Sequence, residues 1–206
     1  YKLVDEKRWT MDKWIELTSS TYTDLDGNGT RDYNDRYGFA MTGMFYCWFE
    51  GWNIELYQKD EAAHDIRIIT GDAKIVNAVE KLYNWMHNNP GVYYSPSDSG
   101  NWKRDNYIGM FAAESAVYTY GVLGRLIEGV IDTDIRYAIL PLPMLDESAG
   151  QYYSGTTDRP ISVPVNCDNE DRTGAVIEAM AIAGYETILP AYRDSALKGR
   201  YATDAD

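Results

Sequence analysis

Apolar Met11, Trp14, Ile15 and Leu17 recur at helical spacing behind Thr10, which is placed to cap a helix, and Asp12 puts an acidic group in the first turn. The pattern predicts a helix of about two to three turns. The run 24–35 is dominated by Asp, Gly, Asn and Thr and predicts a loop. Residues 37–42 read as a short strand, and the aromatic-rich stretch 44–56 reads equally as helix or loop. A β-branched run at 66–70 predicts a second strand. After Gly71-Asp72, residues 74–87 place Ile75, Val76, Val79, Leu82, Tyr83 and Met86 on one stripe, an amphipathic helix stopped by Asn88-Asn89-Pro90-Gly91. Residues 91–104 are polar and marked by Gly, Ser and Pro. A short helix is expected over 105–113, a strand over 115–120 and a helix over 121–130. Further strands are expected at 135–140, ended by Pro141-Leu142-Pro143, and at 161–163. Two closing helices, 173–187 and 191–198, are expected to be separated at Pro190.

Strands that alternate with helices of this length argue for βαβ units. The expected fold is therefore α/β, a mixed sheet flanked by helices. With 206 residues the chain is long enough to bury a sizeable core, and it reads as a single α/β lobe over 1–206.

Charge narrows the classes of partner. Thirty-two acidic residues against 19 basic ones give a formal charge of −13, and no basic patch interrupts it. Such a chain repels phosphate backbones, so nucleic acid is not an expected partner. The aromatic set is biased, with 18 Tyr and 6 Trp against 4 Phe. Rings with a polar edge suit surfaces that are wetted and also stack on a ligand. Cys47 and Cys167 have neither zinc-knuckle spacing nor the density of a disulfide scaffold, and can pair or stay free. No run of about 18 apolar residues is present to span a membrane. The chain opens on Tyr1-Lys2-Leu3 without a signal segment, and reads as a piece of a longer protein whose targeting segment lies upstream.

The loop 24–35 carries the most specific chemistry. Asp24, Asp26, Asn28, Asp32 and Asp35 stand at positions 1, 3, 5, 9 and 12 of a twelve-residue EF-hand-type loop, and Gly29 stands at position 6, where the chain must turn sharply. Calcium takes six to eight hard oxygen ligands, and the carbonyl of Thr30 at position 7 is a further one. Asp35 departs from the usual Glu at position 12, and its shorter side chain reaches less far. Asp, Asn and Gly also populate turns for conformational reasons alone, but a match at each of these places specifies structural calcium.

Nothing comparable speaks for catalysis. Glu50, Glu55 and Glu114 lie in no catalytic motif, and His87 at a helix C-terminus complements the helix dipole. No nucleophile elbow, phosphate-cradling loop or zinc-type His pair is present, so the chain is not expected to be an enzyme. Two aromatic clusters follow strands: Phe45-Tyr46-Cys47-Trp48-Phe49-Glu50-Gly51-Trp52-Asn53 and Tyr118-Thr119-Tyr120-Gly121. Ligands of open α/β sheets settle at the carboxyl ends of strands, which makes Trp48, Trp52, Tyr118 and Tyr120 the expected ligand-stacking residues.

These segments fall in a familiar order. Arg8-Trp9-Thr10-Met11-Asp12-Lys13-Trp14-Ile15-Glu16-Leu17, the acidic loop closing on Asp32 to Asp35, and Tyr37-Gly38-Phe39 resemble the "WTWDE…DxDGDG…YGF" passage of family 1 extracellular solute-binding proteins. Gly109 to Tyr118 resembles their "FxxGKAAM" segment, with Glu114-Ser115 in place of the usual Gly-Lys. Tyr137 to Pro143 resembles their "GxxPLPK" strand exit, and Glu178-Ala179-Met180 and Pro190-Ala191-Tyr192 continue in order. The resemblance covers nearly the whole chain. It implies most of the second lobe of a periplasmic-binding-protein-like clamp, which captures an oligosaccharide or sugar outside the cell and delivers it to the membrane permease of an ABC importer. It also implies an extracellular, cell-surface or periplasmic location, with anchoring through an upstream segment. A carbohydrate-active enzyme and a calcium-stapled interaction module are the competing readings.

Overall fold

The computed structural model describes residues 1–43, 46–60, 62, 64–95, 106–130, 132–155 and 161–194. It divides into two compact units, Tyr1–Ile135 with Leu140–Gly155, and Arg136–Ile139 with Thr156–Asp206.

The first unit is mixed α/β. In chain order it contains α1 (Lys2–Asp5), α2 (Met11–Ser19), β1 (Tyr37–Met41), α3 (Tyr46–Gly51), β2 (Tyr57–Asp60), β3 (Asp65–Ile68), α4 (Ala73–Asn88), β4 (Val92–Tyr94), α5 (Tyr107–Ala112), β5 (Ala116–Thr119) and α6 (Leu123–Val130). Strands β4, β1 and β5 form a parallel sheet in that order, with Phe39 opposite Val92 on one side and Tyr118 on the other. β2 and β3 form a separate antiparallel hairpin. β1 is buried at all five positions, as a central parallel strand covered on both faces should be. Phe39 and Met41 pack into one core cluster and Ala40 into the other. β3 falls on the strand expected over 66–70, whereas β2 and β4 lie where no strand is expected; three residues, Val92-Tyr93-Tyr94, suffice for β4 because β1 supplies its partner.

Helix α2 begins as expected, with Thr10 Oγ1 accepting the Lys13 N–H. Its last turn is pressed onto the sheet. A Cβ on Gly38 would lie 2.6 Å from the Thr18 carbonyl oxygen, and one on Gly91 would overlap the same atom. These two glycines are the clearance that lets α2 descend on β1 and on the turn into β4. Thr18 is fully buried there, donating to the Trp14 carbonyl and accepting the Trp85 indole N–H at 3.2 Å.

Helix α4 corrects the expected stripe. Ile75, Ala78, Leu82, Trp85 and Met86 are buried, whereas Val76, Val79 and Tyr83 are exposed. Trp85 sets the rotation: its ring meets Phe39, Trp48 and Trp14 and its N–H reaches Thr18, a larger gain than two valines on the neighbouring face would give.

Residues 135–140 and 161–163 are not strands. They are extended or irregular chain, and an apolar run without a ladder partner stays so. The Pro141-Leu142-Pro143 segment instead offers its carbonyls. Trp9 donates to Pro141 and Trp52 to Pro143, each at 3.0 Å, and Met144 bridges to Thr10.

In the second unit, α7 (Glu170–Ala183) is capped by Asn169 and continues into a π-helical turn, Gly184–Ile188. The helix does not break at Pro190, which is itself helical. Proline lacks an N–H and clashes with the carbonyl four residues back, and the wider π turn just before it relieves that contact. The expected helix over 191–198 lies partly outside the described residues. No described helix is long and apolar enough to cross a membrane.

Candidate functional site

The acidic loop is built from short-range hydrogen bonds between side chains and its own backbone. Asp24 accepts the N–H groups of Gly27 at 2.7 Å and Gly29 at 3.0 Å, one on each oxygen. Gly27 and Gly29 both take left-handed backbone, φ 71°, which a side chain would penalise. Asn28 accepts the Thr30 N–H, and Asp32 accepts that of Asn34. An antiparallel bridge between Thr23 and Arg36 closes the loop at its base.

Carboxylates of Asp24, Asp26 and Asp35 bring one oxygen each to within 4.8 Å of one another, and this group could hold a metal ion. Two unit negative charges at that separation repel by about 1 kcal/mol in bulk water and by about 3.5 kcal/mol at an effective dielectric of 20. A cation at the centre converts this repulsion into coordination. Asp35 is fully buried. It accepts the Leu25 N–H on one oxygen, and the Tyr22 hydroxyl and Asp32 N–H on the other, which leaves a lone pair on the first oxygen for an ion. The hydrogen bonds from Gly29 and then Gly27 hold the Asp24 carboxyl below the usual carboxylate range. Burial and the adjacent Asp35 charge push the Tyr37 hydroxyl up, and that hydroxyl donates to the Asp32 carbonyl at 2.9 Å.

Of the expected ligands, Asp24, Asp26 and Asp35 are gathered. The Asp32 carboxylate is engaged with the Asn34 N–H and is not one of the clustered three. Asn28 and Thr30 lie on the same turn, linked by their own hydrogen bond. The shell around these carboxylates has no local signature in the chain. Tyr22 and Tyr37 are in contact, rings 5.4 Å apart. The guanidinium of Arg31 lies over both at 5.3 and 5.7 Å, and donates to the carbonyls of Pro90 at 2.7 Å and Val92 at 3.0 Å.

The four expected stacking residues have a different fate. Trp48, Trp52 and Tyr120 retain 0, 2 and 5% of their surface. Their rings pack on one another and on Phe39, Trp14 and Trp85, so in this structure they are core side chains with no face turned to solvent. Tyr118 alone of the four is half-buried, against Trp9 and Trp14. Phe45 lies outside the described residues. At the carboxyl edge of the sheet the Tyr120 hydroxyl closes on the Thr42 carbonyl, and Tyr94, which the sequence did not single out, keeps 39% of its surface. The segments 44–45 and 96–105, which follow β1 and β4, lie outside the described residues. Both cysteines are free thiols.

No protein-family model, no curated protein and no solved structure matches this chain.

Proposed function

We propose that this protein is a calcium-stapled solute-binding lobe that captures a carbohydrate outside the cell for an ABC permease. Calcium suits the loop because its gathered donors are hard carboxylate oxygens on a short turn, and calcium is the cation that takes six to eight such oxygen ligands. The metal is structural, since the loop ends on Asp35, two residues before the central strand.

For the solute-binding reading, the observation that carries most weight is the backbone at Glu114. This residue closes α5 in left-handed conformation, φ 58°, with the Ser115 N–H returning to the Met110 carbonyl. It stands at the place where the segment it resembles carries glycine, the residue that such a helix end favours. Gly38 of the Tyr-Gly-Phe motif is likewise required by its contact with Thr18. The solute site then belongs at the carboxyl edge of β4, β1 and β5, the usual position in parallel sheets, where Tyr94 and Tyr118 keep accessible surface.

A panel of mono- and oligosaccharides, read by calorimetry and tryptophan emission in the presence of calcium, tests this. Saturable binding weakened by Tyr94→Ala or Tyr118→Ala, with no hydrolysis of the bound sugar, is the expected result. Turnover that one carboxylate substitution abolishes would replace this reading with an enzymatic one, and absence of binding across the panel would remove the carbohydrate.

A further inference from the structure

We infer that Arg31 is the link through which the metal loop is read by the sheet, so that occupancy of the loop sets the stability of the turn into β4 and of the β1–β4 pairing. The inference rests on the metal reading above.

The loop holds four carboxylates, Asp24, Asp26, Asp32 and Asp35, and one basic residue, Arg31. Charge alone would fold Arg31 back onto them. Instead, among the described residues, its guanidinium makes no ion pair and is spent on two neutral carbonyls 59 and 61 positions away. The carboxylates are left for another cation, and the arginine is left to hold the sheet. A planar guanidinium lying on the Tyr22 and Tyr37 rings is oriented before it donates, which a lysine ammonium would not be.

What it grips is a turn with little freedom of its own. The Gly91 carbonyl accepts the Phe39 N–H of β1 at 3.0 Å, the Gly91 N–H donates to the Asn89 side chain, and a Cβ at Gly91 would strike Thr18. The carbonyls on either side of Gly91 are the two that Arg31 holds. The loop therefore touches two adjacent strands: Asp35 lies two residues before β1, and Arg31 ends on the first residue of β4. Arg31 lies between the ligands Asp26 and Asp35, so coordination that fixes those two also fixes the backbone from which the guanidinium reaches. Linkage makes the coupling reciprocal: if calcium tightens the turn, the turn tightens calcium binding.

The test is amide hydrogen exchange with calcium chloride and with chelator, alongside calorimetric titration of calcium, on the wild-type chain and on Arg31→Gln. In the wild type, calcium is expected to slow exchange at Gly27 and Gly29 in the loop and at Phe39, Val92 and Ser95 in the sheet. In Arg31→Gln the loop amides still respond, the sheet amides no longer do, and calcium affinity falls on the order of tenfold. A wild-type chain that does not bind calcium removes the metal reading itself. Wild-type binding, with Arg31→Gln matching it in affinity and in the response of Phe39 and Val92, overturns the link while leaving the metal in place. Arg31→Lys, which keeps the charge and loses the planar fork, is read by the same two outcomes if the glutamine variant does not fold.

Discussion

Two stretches stand out in the sequence, the acidic loop 24–35 and the aromatic run that begins before α3, and they differ in how they relate to the fold. The carboxylate turns of the loop are specified by hydrogen bonds and a closing bridge between residues two to thirteen positions apart, with Arg31 the member that reaches farther, so the geometry of the carboxylates follows from the local composition. Apart from Phe39, the partners that specify the aromatic run lie 34 to 91 positions away, among them Trp14, Trp85, Tyr120 and the Pro143 carbonyl. A ring's type says that it is large and apolar with a polar edge; whether that ring meets solvent or other rings is decided elsewhere in the chain. Asp24 can be assigned a task from its neighbours, and Trp48 cannot.

The strongest way to break this contrast is to remove a core ring. Trp48 is fully buried among Trp14, Phe39, Trp52, Trp85 and Tyr120. Truncating a buried Trp to Ala costs about 3–5 kcal/mol. Among the described residues its indole N–H finds no hydrogen-bond partner, and deleting that unsatisfied group returns part of the loss, so Trp48→Ala is expected to destabilise by about 3 kcal/mol. Urea unfolding measures this. A loss below about 0.5 kcal/mol, the range of surface substitutions, would restore Trp48 to a surface role.

The matching change in the loop acts through the metal. At a hundredfold excess over Kd, calcium is expected to add about 2.7 kcal/mol to the folded state, a rise in Tm that chelator reverses and Asp24→Ala abolishes. Identical melting curves with calcium and chelator would empty the loop of its function. Acid provides a second reading of the same residue. The Asp24 carboxyl is held below its ordinary range when folded. Its contribution is therefore complete above the unfolded pKa and is lost as pH falls through the lower folded value. Chelator-treated wild type should lose stability on acidification more steeply than Asp24→Asn, which has no charge to lose. Parallel pH profiles would show that the hydrogen bonds to Gly29 and Gly27 do not distinguish the charged form.

At the carboxyl edge the expected effect is smaller. The Tyr120 hydroxyl donates to the Thr42 carbonyl in a buried position, and Tyr120→Phe leaves that carbonyl short of one donor at a cost of about 1 kcal/mol. No change in unfolding free energy would mean that water replaces the phenol, and hence that this edge is more open than the packing of Tyr120 suggests.

Legibility followed the same division throughout. Helix α2, its Thr10 cap, the strand at β1 and the turn residues of the loop are local matters and agree with the pattern. Helix α4 was legible as a helix but not in its rotation, because Val76 and Val79 carry the same local signal as Ile75 and the choice was made by Trp85 finding Thr18. The apolar runs at 135–140 and 161–163 were misleading for the complementary reason, since a strand is completed by a partner and theirs is not among the described residues. In the candidate site the carboxylates were readable and Arg31 was not, because a guanidinium's destination on Pro90 and Val92 leaves no trace near position 31.

Glu114 is the exception that sharpens the division, because there local preference and structure disagree. A non-glycine residue in left-handed conformation costs roughly 1–2 kcal/mol. Glu114 is held there because three hydrogen bonds close the end of α5: Ala113 to Gly109, Glu114 to Phe111 and Ser115 to Met110. These set the chain up to enter β5 one residue later. The Glu114 side chain is exposed and contributes no packing to offset the strain. Glycine removes the strain but loses more backbone entropy on folding, by about 0.5–1 kcal/mol, so Glu114→Gly is expected to stabilise by about 0.5 kcal/mol. Pro and β-branched residues at the same position should destabilise. Chemical unfolding of Glu114→Gly and Glu114→Val side by side decides it: a valine variant as stable as the glycine one would mean that position 114 is not left-handed, and the correspondence with the glycine of the solute-binding segment would lose its physical basis.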